Sequence, residues 1–198
     1  HFTVTMAINC VILSGNNSAY SGNWTNNTRY LELLSGATNA LGSGSVTLNL
    51  NTSLVLNSTN NFTITNLITG AGSVVKQNTN MVALAGINTF TGLASVSGGV
   101  LQIGAASSLS NAYAISLNGG TLDASLIGGL TLNPAGQILN GNGTVTGNLT
   151  AATADTLNFN LSPTTNDVLN VTGSLTLNGT PTLNLAASGY KPSGTYRL

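Results

Sequence analysis

The chain has 198 residues, of which only 4% are charged, against about 25% in ordinary globular chains. Four Lys and Arg residues balance four Asp and Glu residues, and Arg29, Lys76, Lys191 and Arg197 are scattered along the sequence. Because binding to nucleic acid or to an anionic membrane needs a basic cluster, the composition argues against both, and a hydrophobic content of 41% argues against disorder.

The chain begins with an alternating run of apolar residues at positions 2, 4, 6, 8, 10 and 12, which is typical of a β-strand. Cys10 lies in this run and is the only cysteine, so no intrachain disulfide exists, and we interpret it as a small buried hydrophobe rather than a nucleophile. The run lacks the basic start and the cleavage site of a signal peptide. If the protein is exported, the targeting segment has been removed or lies outside this chain.

Short segments of alternating apolar and polar residues follow, each bounded by Gly, Asn or Ser. This period of two predicts β-strands, and pairs such as Gly119-Gly120 and Asn140-Gly141 supply the positive φ angles of tight turns. No stretch has a helical period with caps, and none reaches the roughly 18 apolar residues of a membrane helix. The predicted strands include Val46–Leu50, Ser53–Leu56, Phe62–Thr65, Leu130–Leu132, Thr144–Thr146, Leu175–Leu177 and Thr182–Leu185.

Polar but uncharged side chains take the place of the missing charges, with 28 Asn and 28 Thr in the chain. Like charges on neighbouring stacked strands repel each other, whereas rows of Asn and Thr hydrogen-bond to their own kind. The composition therefore favours strands stacked in register. Drift in a low-complexity repeat is the alternative explanation.

Internal repeats favour one all-β architecture over the others. Phe2–Ile8 matches Phe62–Ile68, and Tyr20–Gly22 matches Phe90–Gly92, so residues 1–60 and 61–129 are predicted to be two copies of one module. A module of about 70 residues suits about three solenoid coils. We therefore predict that residues 1–198 form a single right-handed parallel β-helix (β-solenoid) of roughly eight or nine coils, about 40 Å long. A β-sandwich is the alternative, but it would not require this self-similarity.

The second module carries a more specific pattern, which starts with Gly70-Ala-Gly-Ser-Val-Val-Lys76 and continues through Met81–Gly86, Ile87–Gly92 and Ala94–Gly104. It resembles the autotransporter-associated β-strand repeat, which reads G-x-G-x-L-x-K, then L-x-L-x-G-x-N-T-Y-T-G, then T-x-V-x-x-G-x-L-x-x-G. Val74 replaces the usual Leu, and Phe90 replaces the usual Tyr. Residues 130–198 resemble the C-terminal part of the passenger in such proteins.

The resemblance implies a parallel β-helix on the exterior of a bacterial cell, with a scaffolding or adhesive role. The localisation it implies is extracellular or at the bacterial cell surface. Within the repeat, Asn88 is expected at a turn, where its side chain bonds neighbouring backbone or stacks on an Asn of the next coil. Phe90 and Tyr20 are expected to fill or stack at the same corner of the solenoid.

The chain has few residues that could catalyse a reaction or bind a metal ion. Acid–base catalysis needs two carboxylates, or a carboxylate and a histidine, converging on one bond. The acids Glu32, Asp123, Asp155 and Asp167 are far apart in sequence, and His1 is the only histidine. We therefore predict no catalytic, cofactor-binding or metal-binding residues, no cofactor, and no enzymatic activity.

Three functions remain open at this point. The first is a structural or adhesive segment, a rod that builds an extracellular fibre and self-associates end to end or laterally through exposed strands. The second is a module that binds glycans or a host cell surface through aromatic corners or loops. The third is a polysaccharide-degrading β-helix enzyme, which would need clustered Asp residues, or Asp with Lys and Arg around calcium.

Overall fold

Parallel β-strands stacked turn upon turn form the protein. The computed structural model describes residues 2–3, 9–34, 39–104, 109–162 and 166–187. Throughout these ranges the paired strands run parallel, as in Val46–Leu48 beside Ile68–Gly70. The predicted all-β solenoid is confirmed, and its sequence-distant parallel pairing is not that of a sandwich built from antiparallel hairpins. The right-handed form was predicted because crossovers between parallel strands generally take that hand.

Twenty strands lie within the described ranges. They are β1 (Phe2–Thr3), β2 (Cys10–Leu13), β3 (Trp24–Asn26), β4 (Tyr30–Leu33), β5 (Val46–Leu48), β6 (Ser53–Leu56), β7 (Phe62–Ile64), β8 (Ile68–Gly70), β9 (Ser73–Lys76), β10 (Met81–Leu84), β11 (Leu93–Val96), β12 (Val100–Ile103), β13 (Ala114–Asp123), β14 (Gly129–Thr131), β15 (Ile138–Thr146), β16 (Asn148–Ala152), β17 (Thr156–Leu161), β18 (Leu169–Val171), β19 (Leu175–Asn178) and β20 (Thr182–Ala187). A single turn of 3₁₀-helix, Ser125–Ile127, separates β13 from β14.

Successive turns arrange these strands into three faces. The first face consists of two sheets, β1-β3-β5-β8 and β14-β16-β19, and each of their strands directly precedes a strand of the second face along the chain. The second face is the row β2-β4-β6-β9-β11-β13-β15-β17-β20. The third face is formed by β7, β10 and β12, the C-terminal halves of β13 and β15, and β18.

The turns number about seven, slightly fewer than the eight or nine predicted. The count is lower because the turns at both ends are incomplete among the described residues. No third-face strand accompanies β1 and β2 or β3 and β4 there, and none follows β19 and β20. At about 4.8 Å per turn, seven turns make a rod of about 34 Å.

Columns of apolar side chains fill the interior, one from each turn. The register aligns them because each strand alternates inward and outward residues and each turn repeats that alternation. Each such side chain contributes roughly 1.5–3 kcal/mol by leaving water. The best-defined column on the second face is Leu31, Leu54, Val74, Ala94, Ile115, Leu139 and Leu157, all at most 5% exposed.

Glycines occupy corners where consecutive turns approach each other closely. A Cβ atom added to Gly44 would overlap the carbonyl of Gly22, and one added to Gly92 would overlap the carbonyl of Gly72. The predicted turn at Gly119-Gly120 instead lies inside β13, where φ of Gly119 is 91° and the register shifts between Asn118 and Thr121. This strand, like β15, bends from the second face to the third without leaving the ladder.

The two aromatic residues aligned by sequence do not share a corner, so that expectation was wrong. Tyr20 precedes β3, whereas Phe90 follows the bridge between Ile68 and Asn88 on the first face. Phe90 is buried, and Tyr20 is half-buried against Trp24. The division into modules 1–60 and 61–129 and a C-terminal segment 130–198 stays a prediction.

Candidate functional site

The last described turn exposes leucines that occupy core positions, and we call these four residues the open end. Leu175 and Leu177 of β19 pair with the buried Leu149 and Ala151, and Leu183 and Leu185 of β20 pair with the buried Leu157 and Phe159. The four leucines are nevertheless 44–53% exposed. They continue the core columns to the surface because no further strand covers them within the part of the chain that the structure describes.

A cavity of about 130 Å³ opens beside Leu175, Leu177 and Leu183 of the open end. Its lining is almost wholly apolar, and Leu169 and Val171 of β18 complete it on the third face. Soluble proteins rarely expose contiguous apolar surface of this kind unless it makes a contact. The open end is therefore the strongest candidate for an interaction surface.

A ladder of asparagine amides runs along the second face to the open end. The Nδ2 of Asn158 donates to Oδ1 of Asn140 at 2.9 Å, and the Nδ2 of Asn184 donates to Oδ1 of Asn158 at 3.1 Å. Asn158 therefore donates to the preceding turn and accepts from the following one. The Oδ1 of Asn184 is the acceptor that the ladder offers to a further turn.

The second candidate is a buried cation at the corner after β9. Lys76 is 0% exposed, although its charge predicts a surface position. Its Nζ donates to the carbonyl oxygens of Asn78 at 2.9 Å and Gly98 at 3.3 Å, to Oδ1 of Asn80 at 2.9 Å, and to the carbonyl oxygen of Gln77. The ammonium thus holds together two successive corners.

The local backbone makes this cage. Asn78 has a positive φ of 65°, a conformation that Asn tolerates better than most residues, and it turns its carbonyl towards Nζ. Asn80 extends the cage to the preceding turn, because its Nδ2 donates to the carbonyl of Asn60 at 2.6 Å. Burial lowers the pKa of Lys76 to about 8. This arrangement braces the corner and leaves no space for a substrate.

Each acid that the sequence offered for catalysis is bound to neighbouring strands or turns. Glu32 accepts a hydrogen bond from Asn57 at 2.7 Å, and Asp123 accepts one from Gln102 at 2.9 Å. Asp155 is fully buried and accepts from the backbone of Ala152 and Gln137, and Asp167 accepts from the side chain and backbone of Asn160. These contacts fix turns; the described residues contain no group of three His, Cys, Asp or Glu that could hold a metal ion.

The pKa of Asp123 is also unsuited to an acid catalyst. Burial raises it, but hydrogen bonds from Ser125 and Gln102 act in the opposite direction and outweigh burial, so the pKa lies below its usual value. A carboxylate held in its charged form is a hydrogen-bond acceptor at neutral pH. Its role here is to join β12 to β13 and to begin the 3₁₀ turn at Ser125.

The position of Cys10 differs from the buried one that the sequence predicted. It lies on the outward side of β2, half-buried, because Val11 and Leu13 are the residues that pack against the core. Its Sγ donates to Oε2 of Glu32 at 3.5 Å. Burial and the adjacent carboxylate raise the pKa of the thiol, so the reactive thiolate is disfavoured.

The aromatic residues bear on the glycan-binding alternative. The ring of Trp24 is 9% exposed, and its Nε1 donates to the carbonyl of Leu41 at 2.8 Å. Tyr20 packs on it at 5.0 Å between ring centroids. Tyr113 is 59% exposed but lies on a separate turn. Trp24 therefore acts as a core residue.

Comparisons with protein-family models, with curated proteins and with solved structures found no match to this chain. Within the described ranges, no helix has the length and apolar character needed to cross a membrane.

Proposed function

We propose that this chain is a non-enzymatic structural segment, a rod-like scaffold that self-associates through its open end. The observation that carries this proposal is the continuation of the core columns to exposed leucines beside a directional amide ladder. A further turn with parallel strands placed on β19 and β20 would cover these leucines and donate to Asn184. The contact would reproduce the packing that already joins one turn to the next.

An extracellular or bacterial cell-surface setting, as part of an adhesive or fibrous assembly, belongs to the same proposal. It rests on the resemblance of residues 70–104 to the autotransporter-associated repeat and on a surface almost free of charge. The stability of such a rod comes from stacked backbone ladders and needs no disulfide.

The glycan-binding and polysaccharide-degrading alternatives have less support. The Trp24 ring is used in the core, and the carboxylates of Glu32, Asp123, Asp155 and Asp167 are used to fix turns and strands. A glycan array and incubation with plant and bacterial polysaccharides test them. We expect no saturable binding and no released oligosaccharides, and either one would overturn the scaffold proposal.

Substitution at the open end tests self-association. Leu183→Glu places a charge on a side chain that is already 47% exposed, so we expect the fold to persist and the association to be lost. Leu126→Glu is the matched control, because Leu126 is 60% exposed on the 3₁₀ turn, away from the open end. Sedimentation velocity over a concentration series should show larger species for the unmodified chain and for Leu126→Glu only. Equal behaviour of all three proteins would contradict the proposal.

A further inference from the structure

A column of threonines runs along the outside of the first face. Thr25, Thr47 and Thr69 are paired in register on β3, β5 and β8, and the bridge between Ile68 and Asn88 places Thr89 next in the column. The second sheet of the same face has its own column, with Thr131, Thr150 and Thr176 paired in register. One threonine therefore stands at the same outward position in four consecutive turns of the first sheet and in the three turns of the second, and residues 92–120, which lie between the two columns in the sequence, contain no threonine.

The surroundings of this column are uncharged and partly apolar. None of the described strands of the first face contains Lys, Arg, Asp or Glu. Beside the threonines, the register places Ser45, Leu67 and Ile87 in a second column, and Leu67 and Ile87 are 41% and 61% exposed. Two large apolar side chains exposed on one regular face are an independent indication that the face makes a contact.

A second copy of the chain does not fit this face well. Its strands have two to five residues, most of them three and about 10 Å long, and about seven turns span about 34 Å, so the face offers roughly 340 Å². A specific protein interface buries about 800 Å² on each partner. Sugar chains are a poor match too, because the strands carry no outward aromatic ring for stacking: the only aromatic side chain described there is the buried Trp24.

Ordered water is the partner that the chemistry of this face favours. A threonine supplies a hydroxyl that anchors water and a methyl group that cannot bond it, and here both recur at the strand spacing of about 4.8 Å. Water oxygens in hexagonal ice repeat along one axis at a slightly shorter spacing. Charged groups would orient water away from that lattice, and the described strands of this face contain none. The hydroxyls of Thr47 and Thr69 lie 3.3 Å apart, and their remaining lone pairs stay available to water.

We propose that the first face, which we now call the threonine face, orders water in register with its turns and thereby adsorbs to the surface of ice crystals. Adsorption to an extended solid needs only many weak, regularly spaced contacts, which a small flat face provides. The proposal does not depend on self-association. The threonine face runs along the side of the rod, whereas the open end is the last described turn of the stack.

The test uses the whole chain and single ice crystals in a nanolitre osmometer. The unmodified protein should facet the growing crystals and hold their freezing point below their melting point. Thr69→Lys should lose most of this effect, because a long charged side chain interrupts the array, and Thr131→Lys should do the same in the second sheet. Thr144→Lys is the matched control, since Thr144 is half-buried on the outside of the third face, and it should keep the effect.

Circular dichroism melting of all four proteins verifies that each is folded before it is measured. Ice crystals that grow without facets in the presence of the folded, unmodified chain would overturn the proposal. Equal loss in Thr69→Lys and Thr144→Lys would also overturn it, because the effect would then not belong to the threonine face. Failure of self-association in the sedimentation experiment leaves this outcome unchanged.

Discussion

One buried ammonium joins three consecutive turns around Lys76. Its four oxygen partners include backbone of its own corner and of the next one, and Asn80 connects the cage to Asn60 in the preceding turn. A buried charge is costly unless hydrogen bonds replace its hydration. The repeat-like motif begins with residues 70–76 and places a lysine at position 76. The cage of oxygens around the Lys76 ammonium explains why a lysine fits there.

Replacing Lys76 tests this explanation. Lys76→Met keeps most of the length of the side chain but leaves the cage oxygens without a donor, so we expect the free energy of unfolding to fall by about 3 kcal/mol. Arg29→Met is the control, because Arg29 is exposed and its guanidinium lies over the ring of Tyr30; its effect should stay below about 1 kcal/mol. Urea unfolding of the three proteins measures the difference. Equal stability of Lys76→Met and the unmodified chain would refute the bracing role.

The same lysine predicts a dependence of stability on pH. Its pKa is about 8 in the folded protein and about 10.5 in the unfolded chain. Between these values the unfolded chain binds the additional proton, so the free energy of unfolding rises with pH, and this gain is lost as the pH falls through 8. Urea unfolding at pH 7.5 and pH 10 should show the rise, and Lys76→Met should lack it. A rise of equal size in the variant would show that titratable groups other than Lys76 cause it.

Individual residues were predicted unevenly from the sequence. Asn88 was expected to bond neighbouring backbone, and its Nδ2 donates to the carbonyl of Gly86 at 3.1 Å. The burial of Lys76 was missed, because its cage is formed by backbone carbonyls that carry no sequence signal. The outward position of Cys10 was missed because the odd or even register of an alternating run is set by packing, and both registers of this run contain apolar residues.

At the scale of strands and corners, glycine sets how closely the turns stack. Gly92 does not require a positive φ, but it lies directly above the carbonyl of Gly72. A side chain here would push two turns apart and stretch the ladder hydrogen bonds on both sides. Corner geometry and strand pairing are therefore coupled.

A substitution at this corner separates crowding from backbone conformation. Gly92→Ala should lower the free energy of unfolding by more than about 2 kcal/mol, because the new methyl group meets backbone that cannot move aside. Gly15→Ala is the control: Gly15 has a positive φ of 80° but open space around its Cβ position, so its cost should be about 1 kcal/mol. Thermal melting compares them. A smaller effect at Gly92 than at Gly15 would contradict close stacking.

The strands themselves were largely predictable. Ser53–Leu56 has the predicted bounds, and Leu175–Asn178 and Thr182–Ala187 extend the predicted segments by a few residues. The bends inside β13 and β15 were predicted as turns that end a strand. Glycines there permit a change of direction, and the sequence does not reveal that the neighbouring turn keeps pairing across it.

At the scale of the whole molecule, each turn is stabilised by the turns stacked on it, and the apolar side chains of the last described turn stay exposed. Self-similarity of the sequence was enough to predict a parallel solenoid. It did not predict the number of turns, because corner loops vary in length, nor the open end, because exposure depends on which strand is last in the stack. The leucines of β19 and β20 are ordinary core residues in sequence and are exposed only because of their position in the stack.

Cryo-electron microscopy of the purified chain over a range of concentrations tests the central proposal most directly. The scaffold account predicts rods that lengthen as the concentration rises, with strands stacked at about 4.8 Å along the rod axis across the junction between copies. The Leu183→Glu variant should give only single short rods at every concentration. Monodisperse short rods of the unmodified chain at all concentrations would contradict self-association through the open end.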